Sequence, residues 1–293
     1  MPLLKSLSFR GLGLPFPGME KAAQVAASAG FQALDLPIRD LYENGVSPTS
    51  VRNLLADHGL AIGACPFPLD WRTGESAYLQ ALNSLPAYID YILILGVKNL
   101  YTRVSESVAA GDSAENTLAW HLLRLDKIAE MLHQNQLKLG FETVGVTSFR
   151  QGRPPLMPTL ADVRHHLAPL FHEFPNTGLL VDAFHLHASG ESLDEAITGF
   201  ETRVIGVHVA DLPRPTPPDE IIDNVRALPG TSGSVPVRQI LDGLDSRQIS
   251  APVMVETVAD IFAGKSLDHF EIGRQVAASL GRVFPSQKSS TSS

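Results

Sequence analysis

Residues 178–209 read GLLVDAFHLHASGESLDEAITGFETRVIGVHV. Two short apolar runs, Leu179-Leu180-Val181 and Val204-Ile205-Gly206-Val207, bracket a longer mixed segment. A strand that is apolar without alternation suits a sheet covered on both faces, which crossover helices provide for parallel strands. Each run leads into a residue able to ligate a metal, Asp182 in one and His208 in the other.

The same unit repeats outward in both directions. Strand candidates fall at residues 4–9, 33–36, 61–64, 99–103, 138–143, 178–183, 204–209 and 252–257. Between them lie segments of helical period. Leu118, Leu122, Leu125, Ala129 and Leu132 form one apolar helix face, and Leu82, Leu85, Ile89 and Ile92 form another, with a kink or restart expected at Pro86. Ser47-Pro48 before residues 51–58, with Gly59 after them, supplies an N-cap, a first-turn proline and a C-terminal glycine. Alternating strands and helices predict an α/β fold, and eight units in this length predict a single (β/α)8 TIM barrel. Gly11-x-Gly13 runs into Leu-Pro-Phe-Pro and lacks the rest of a dinucleotide-binding fingerprint, which argues against an open doubly wound sheet. One domain is expected over residues 1–285, followed by a disordered Ser/Thr-rich tail at 286–293.

Composition narrows the function classes. Of 293 residues, 44% are hydrophobic and 18% charged, enough apolar material for a core and no signature of disorder. Lys plus Arg number 23 against 31 for Asp plus Glu, a net charge of −8 that disfavours nucleic acid as a partner. The lone Cys65 excludes an intramolecular disulfide and a cysteine-based metal cluster. No apolar run reaches the length of a membrane span or signal peptide, so a cytoplasmic protein with no membrane partner is expected. The exposed helices leave room for assembly into a homo-oligomer.

The fifth to eighth strand candidates each deliver a metal-competent residue after an apolar run: Glu142, Asp182, His208 and Glu256. In such a barrel the functional residues come from the C-terminal strand ends. Three converging carboxylates would favour protonation of at least one of them, and a divalent cation removes that conflict. Three oxygens and one imidazole suit Mn²⁺ or Mg²⁺, with Zn²⁺ and Co²⁺ compatible. His185, three residues past Asp182, sits where a loop can turn its ring toward the site. Arg214, in the loop after His208, is a candidate to hold a substrate oxygen, and Asp211 is either an orienting group or a turn former. His121, His133, His165, His166 and His172 fall on helical segments and read as surface residues. Residues 66–72 and 212–235 are long Pro-rich connections on the catalytic rim.

At Phe-Glu142-Thr-Val-Gly, Val-Asp182-Ala-Phe-His185-Leu-His, Val-His208-Val-Ala-Asp211 and Val-Glu256 the chain resembles the xylose isomerase-like barrel superfamily of sugar isomerases and epimerases. Within it, Leu-Val-Asp182-Ala-Phe-His185-Leu-His-Ala-Ser-Gly and the later Asp223-Asn-Val-Arg226-Ala-Leu-Pro229-Gly230 look closest to inosose (2-keto-myo-inositol) isomerases. The resemblance implies Glu142, Asp182, His208 and Glu256 as ligands of one divalent metal. It further implies Glu142 and Glu256 as the acid/base pair, with His185 and Arg214 touching a small sugar or keto-polyol. Thr231-Ser232-Gly233 departs from the acidic or amide residue followed by glycine that usually comes after Pro229-Gly230.

The chemistry so implied is proton transfer through an enediolate, one glutamate removing a proton from carbon and the other returning it. Return to the neighbouring carbon isomerises, return to the opposite face epimerises, and loss of a β-hydroxyl makes the enzyme a dehydratase or lyase. Two further alternatives are an apurinic endonuclease, which needs more histidines and a friendlier charge, and a non-catalytic sugar-binding protein.

Overall fold

Residues 3–285 are described by a computed structural model; the predicted 286–293 tail lies outside them. In chain order the elements are β1 (Leu4–Leu7), α1 (Met19–Ser28), β2 (Ala33–Leu34), α2 (Ile38–Glu43), α3 (Pro48–Asp57), β3 (Ala61–Ile62), β4 (Ala64–Pro66) and α4 (Glu75–Leu95). There follow β5 (Asn99–Arg103), α5 (Ala114–Gln134), β6 (Lys138–Glu142), α6 (Leu160–His166), α7 (Ala168–Glu173), β7 (Thr177–Asp182) and α8 (Ala183–Ser189). The chain continues through α9 (Leu193–Ile197), β8 (Val204–Val209), α10 (Val237–Ser246), β9 (Pro252–Val255) and α11 (His269–Val283).

All strand pairings are parallel, in the order β3-β2-β1-β9-β8-β7-β6-β5-β4. The two ends of that order are one strand divided at Gly63: β3 ladders onto β2 and β4 onto β5. Joining them closes eight strand positions into the expected (β/α)8 barrel. Gly63 is required at the split because a Cβ there would overlap Asp35 Oδ1 and Ser6 Oγ. Those two atoms share a 2.5 Å hydrogen bond.

Every residue of β7 and of β8 is buried, as the unbroken apolar runs predict. The helices close the outer face. Ser47 Oγ accepts from Ser50 N and Pro48 opens α3, which ends ahead of Gly59 at φ 67°. α5 buries Leu125, Ile128, Ala129 and Leu132. The restart, one of the two alternatives at Pro86, is not what the helix does, and the surface placement of His121 is corrected. α4 runs through Pro86 without restarting; the proline is exposed while Leu85 and Ile89 beside it are buried, so packing carries the helix past the missing N–H. His121 is buried, not on the surface, because the chain after β5 folds back over it: Ser105 N donates to Nε2, and Nδ1 meets Thr117 O at 2.7 Å. Among the described residues no helix is long and apolar enough to cross a membrane.

Candidate metal centre

Four adjacent strands bring the predicted acid and imidazole side chains to one end of the barrel. Glu142 ends β6, Asp182 ends β7, His208 lies in β8 and Glu256 follows β9. The ladder sets Asp182 opposite His208, and such partners face the same side of a sheet. One potential ligand atom from each of the four lies within 4.8 Å of all the others. His208 Nδ1 is 3.0 Å from Glu142 Oε1 and 3.4 Å from Glu256 Oε2. The Tyr101 ring stands edge-on to the imidazole at a centroid distance of 4.9 Å and restrains its plane.

Asp182 divides its oxygens between two tasks. Oδ1 accepts from Phe184 N at 2.8 Å and caps α8, while Oδ2 meets Arg226 Nη1 at 3.1 Å. Arg226, 3% exposed, ties the cluster together. Nη1 also approaches Glu256 Oε2 at 3.4 Å, and Nη2 reaches Asp223 Oδ1 at 2.6 Å and His185 Nε2 at 3.1 Å. Its guanidinium lies over the Phe184 ring at 4.3 Å. His185 is in the first turn of α8 rather than in a loop, with Nε2 3.6 Å from both Asp182 Oδ2 and Asp223 Oδ1. Its Nδ1 is buried without a hydrogen-bond partner among the described residues. Arg214 is exposed on the rim loop, and its guanidinium pairs with no carboxylate among the described residues.

Arg226 and Asp223 thus enter the cluster although spacing alone did not single them out. Both stand in the Asp223-Asn-Val-Arg226 run, which was the available signal. Asp211 holds that run in place. Its backbone pairs with Ala227, and its carboxylate accepts from the backbone N–H groups of Leu212, Ser232, Gly233 and Val235 and from Ser232 Oγ. The Thr231-Ser232-Gly233 departure is therefore where the rim loop is anchored.

Electrostatics follow from this crowding. Burial opposes charge on His208, yet the carboxylates of Glu256 and Glu142 hold its pKa well above the ordinary value. Burial likewise works against Glu256, but His208 and then Arg226 draw its carboxyl down to about 2. Asp182, Asp223 and Glu256 surround Arg226, the permanent cation, while Glu142 stands against His208, so carboxylates outnumber the cationic groups of the cluster. A divalent cation would offset this excess, and oxygen and nitrogen donors around one such ion, each at roughly 2.0–2.6 Å, span no more than about 5 Å. The donor set and its spacing fit a single hard or borderline ion held by Glu142, Asp182, His208 and Glu256. A cavity of about 460 Å³ adjoins the cluster and is lined in part by Glu142, Glu256 and Tyr101.

The fold and this arrangement define a parallel (β/α)8 barrel with a candidate metal centre at its strand ends. The model of the family described as "Xylose isomerase-like TIM barrel" matches residues 23–278, and the chain belongs to that family. Among solved structures, a xylose isomerase domain protein from Alicyclobacillus acidocaldarius is 22% identical, with a TM-score of 0.78 over 96% of this chain and 98% of that one. The IolI protein with a bound zinc atom is 14% identical, with a TM-score of 0.75 over 96% of each chain. D-allulose 3-epimerase from Methylomonas sp., in complex with D-allulose, is 15% identical, with a TM-score of 0.69 over 97% of this chain and 98% of that one. No curated protein sequence matches the chain.

Proposed function

We propose that the protein is a divalent-metal-dependent isomerase or epimerase of a small polyhydroxy ketone or aldehyde. The observation that carries this reading is the placement of Glu142 and Glu256, two carboxylates that approach one imidazole nitrogen and line one cavity. The likeness to the zinc-bearing IolI protein and to D-allulose 3-epimerase supports it.

When bound, the ion supplies positive charge that offsets the negative charge developing on the substrate's oxygens. The two glutamates carry the proton: one takes it from carbon, the other gives it back to the neighbouring carbon or to the opposite face. Glu256, held ionised, is available as a base. Arg226 keeps Glu256 and Asp182 in place by bonding both, and its contact with His185 holds that buried ring beside Asp182. Inososes belong in the substrate class on the strength of the Asp182–Gly190 run.

The test is a panel of inososes, ketohexoses, hydroxypyruvate and 3-keto sugars incubated with protein and Mn²⁺ in deuterated water. Deuterium is expected at a carbon next to the carbonyl of at least one substrate. No incorporation into any of them by folded, metal-loaded protein would sink the reading.

A further inference from the structure

Beside the metal centre, the cavity that holds Glu142 and Glu256 is lined by four arginines: Arg10 after β1, Arg39 in α2, Arg72 after β4 and Arg103 at the end of β5. No lysine lines it. In a chain of net charge −8 this grouping does not follow from composition. Four acids line the same cavity, Asp40, Asp70, Glu142 and Glu256, yet none of them forms a close ion pair with Arg10 or Arg103 among the described residues.

Their donors are largely unspent. Arg39 Nε donates to Pro68 O at 2.5 Å, and Arg72 Nε stands 3.8 Å from Asp70 Oδ1, beyond hydrogen-bond range. Neither Arg10 nor Arg103 forms an ion pair among the described residues, and Arg103 Nε is buried with no hydrogen-bond partner. The Arg103 guanidinium sits over the Phe149 ring at 5.1 Å, which fixes its position without using its donors. Arg72 is close enough to Arg103 to feel it: burial first, and the Arg103 charge second, lower the Arg72 pKa. Both arginines also line an adjoining cavity of about 760 Å³, so they stand at the junction of the two spaces. Like charges gathered with unmet donors are unfavourable until an anion meets them.

The ladder makes Arg103 and Glu142 neighbours. They pair in register, so the two face the same side from neighbouring strands. Both side chains line the same cavity, so one small ligand in it meets both. We propose that the substrate is anionic: a polyhydroxy keto or aldehyde compound whose carboxylate or phosphate rests on Arg72 and Arg103 while its carbonyl end meets Glu142 and Glu256. This rests on the isomerase or epimerase reading of the same site.

The experiment compares D-fructose, D-fructuronate and D-fructose 6-phosphate, which share a carbon skeleton and differ in the group at its end. Binding to the full-length, Mn²⁺-loaded protein is measured by titration calorimetry, and deuterium uptake is followed in parallel. At least one anion is expected to bind ~10-fold or more tightly than fructose, as charge-assisted bonds imply. A lead by fructuronate identifies a sugar acid, and a lead by the phosphate identifies a sugar phosphate. The Arg72→Gln/Arg103→Gln double variant, its fold checked by circular dichroism, is expected to erase most of that preference, whereas Arg103→Lys keeps part of it. Equal affinity for all three, no measurable binding of either anion, or a preference that survives intact in the double variant would overturn the proposal. The two readings fail separately. Anion preference without deuterium uptake contradicts the isomerase chemistry and leaves the arginine site standing, while uptake into fructose without anion preference does the reverse.

Discussion

The two halves of the barrel mouth are built on opposite plans. On the side of β6 to β9 the ionisable groups are buried and bonded to one another: Arg226 spends its donors on Asp182, Asp223, Glu256 and His185, and His208 bridges Glu142 and Glu256. On the side of β1 to β5, Arg10, Arg39 and Arg72 are exposed and Arg103 is half-buried, with few protein partners. A bonded, desolvated cluster fixes its geometry before any ligand arrives, which is what transition-state electrostatics require. Groups with free donors gain their bonds from whatever binds. In the proposed function, chemistry falls on the rigid half and selection of the substrate on the open one.

Breaking the acid half at its reactive groups should have the largest effect. Glu142→Gln and Glu256→Gln are each expected to slow deuterium uptake by ~10²–10⁴-fold with the circular dichroism spectrum unchanged. Near-normal rates in either variant would remove that residue from the proton path. Breaking the same half at its tie should cost stability instead. Arg226→Met leaves Asp182, Asp223 and Glu256 without their common cation, and loss of one partner from a buried pair costs about 3–5 kcal/mol. Urea denaturation reads this directly; a loss under about 1 kcal/mol would show that the carboxylates do not depend on Arg226.

A smaller effect sharpens the contrast beneath the basic half, where Asp35 is buried beside Ser6. Burial raises its pKa from 3.8 to about 7, the Ser6 hydrogen bond only partly opposing the rise. The folded protein therefore holds a proton that the unfolded chain has released, and stability falls as pH climbs from about 4 toward about 7. Asp35→Asn should flatten that slope, so that the variant gains on the wild type as pH rises through this window. Parallel slopes in urea melts would contradict it. The smallest change is expected at the rim: Ser232→Ala removes the Oγ bonds to Asp211 and Ser234 on a partly exposed loop and should cost about 1 kcal/mol in the same assay.

Much of the architecture was legible because buried parallel strands leave unbroken apolar runs, as at 179–181 and 204–207. The division of the third strand was not, since Gly63 is needed only because Asp35 and Ser6 meet behind it in space. Likewise the convergence of Glu142, Asp182, His208 and Glu256 could be anticipated from their shared position at strand ends. Arg226 could not be reached by counting from His208, a method that stops at the exposed Arg214, because a long rim loop can return any of its residues to the barrel axis. What returns Arg226 is the anchoring of that loop on Asp211, a tertiary contact with no period in the sequence. The arginine half was invisible for the same reason. Its members come from four separate units and share no motif.

The most direct test of the metal centre is the number of divalent ions each chain retains. Chelator-treated protein is re-equilibrated with Mn²⁺, desalted and analysed by plasma mass spectrometry beside the His208→Ala and Asp182→Asn variants. One ion per chain is expected in the wild type and well under one in each folded variant. No retained ion in the wild type, or the same content in all three proteins, would contradict the assignment of Glu142, Asp182, His208 and Glu256 as its ligands.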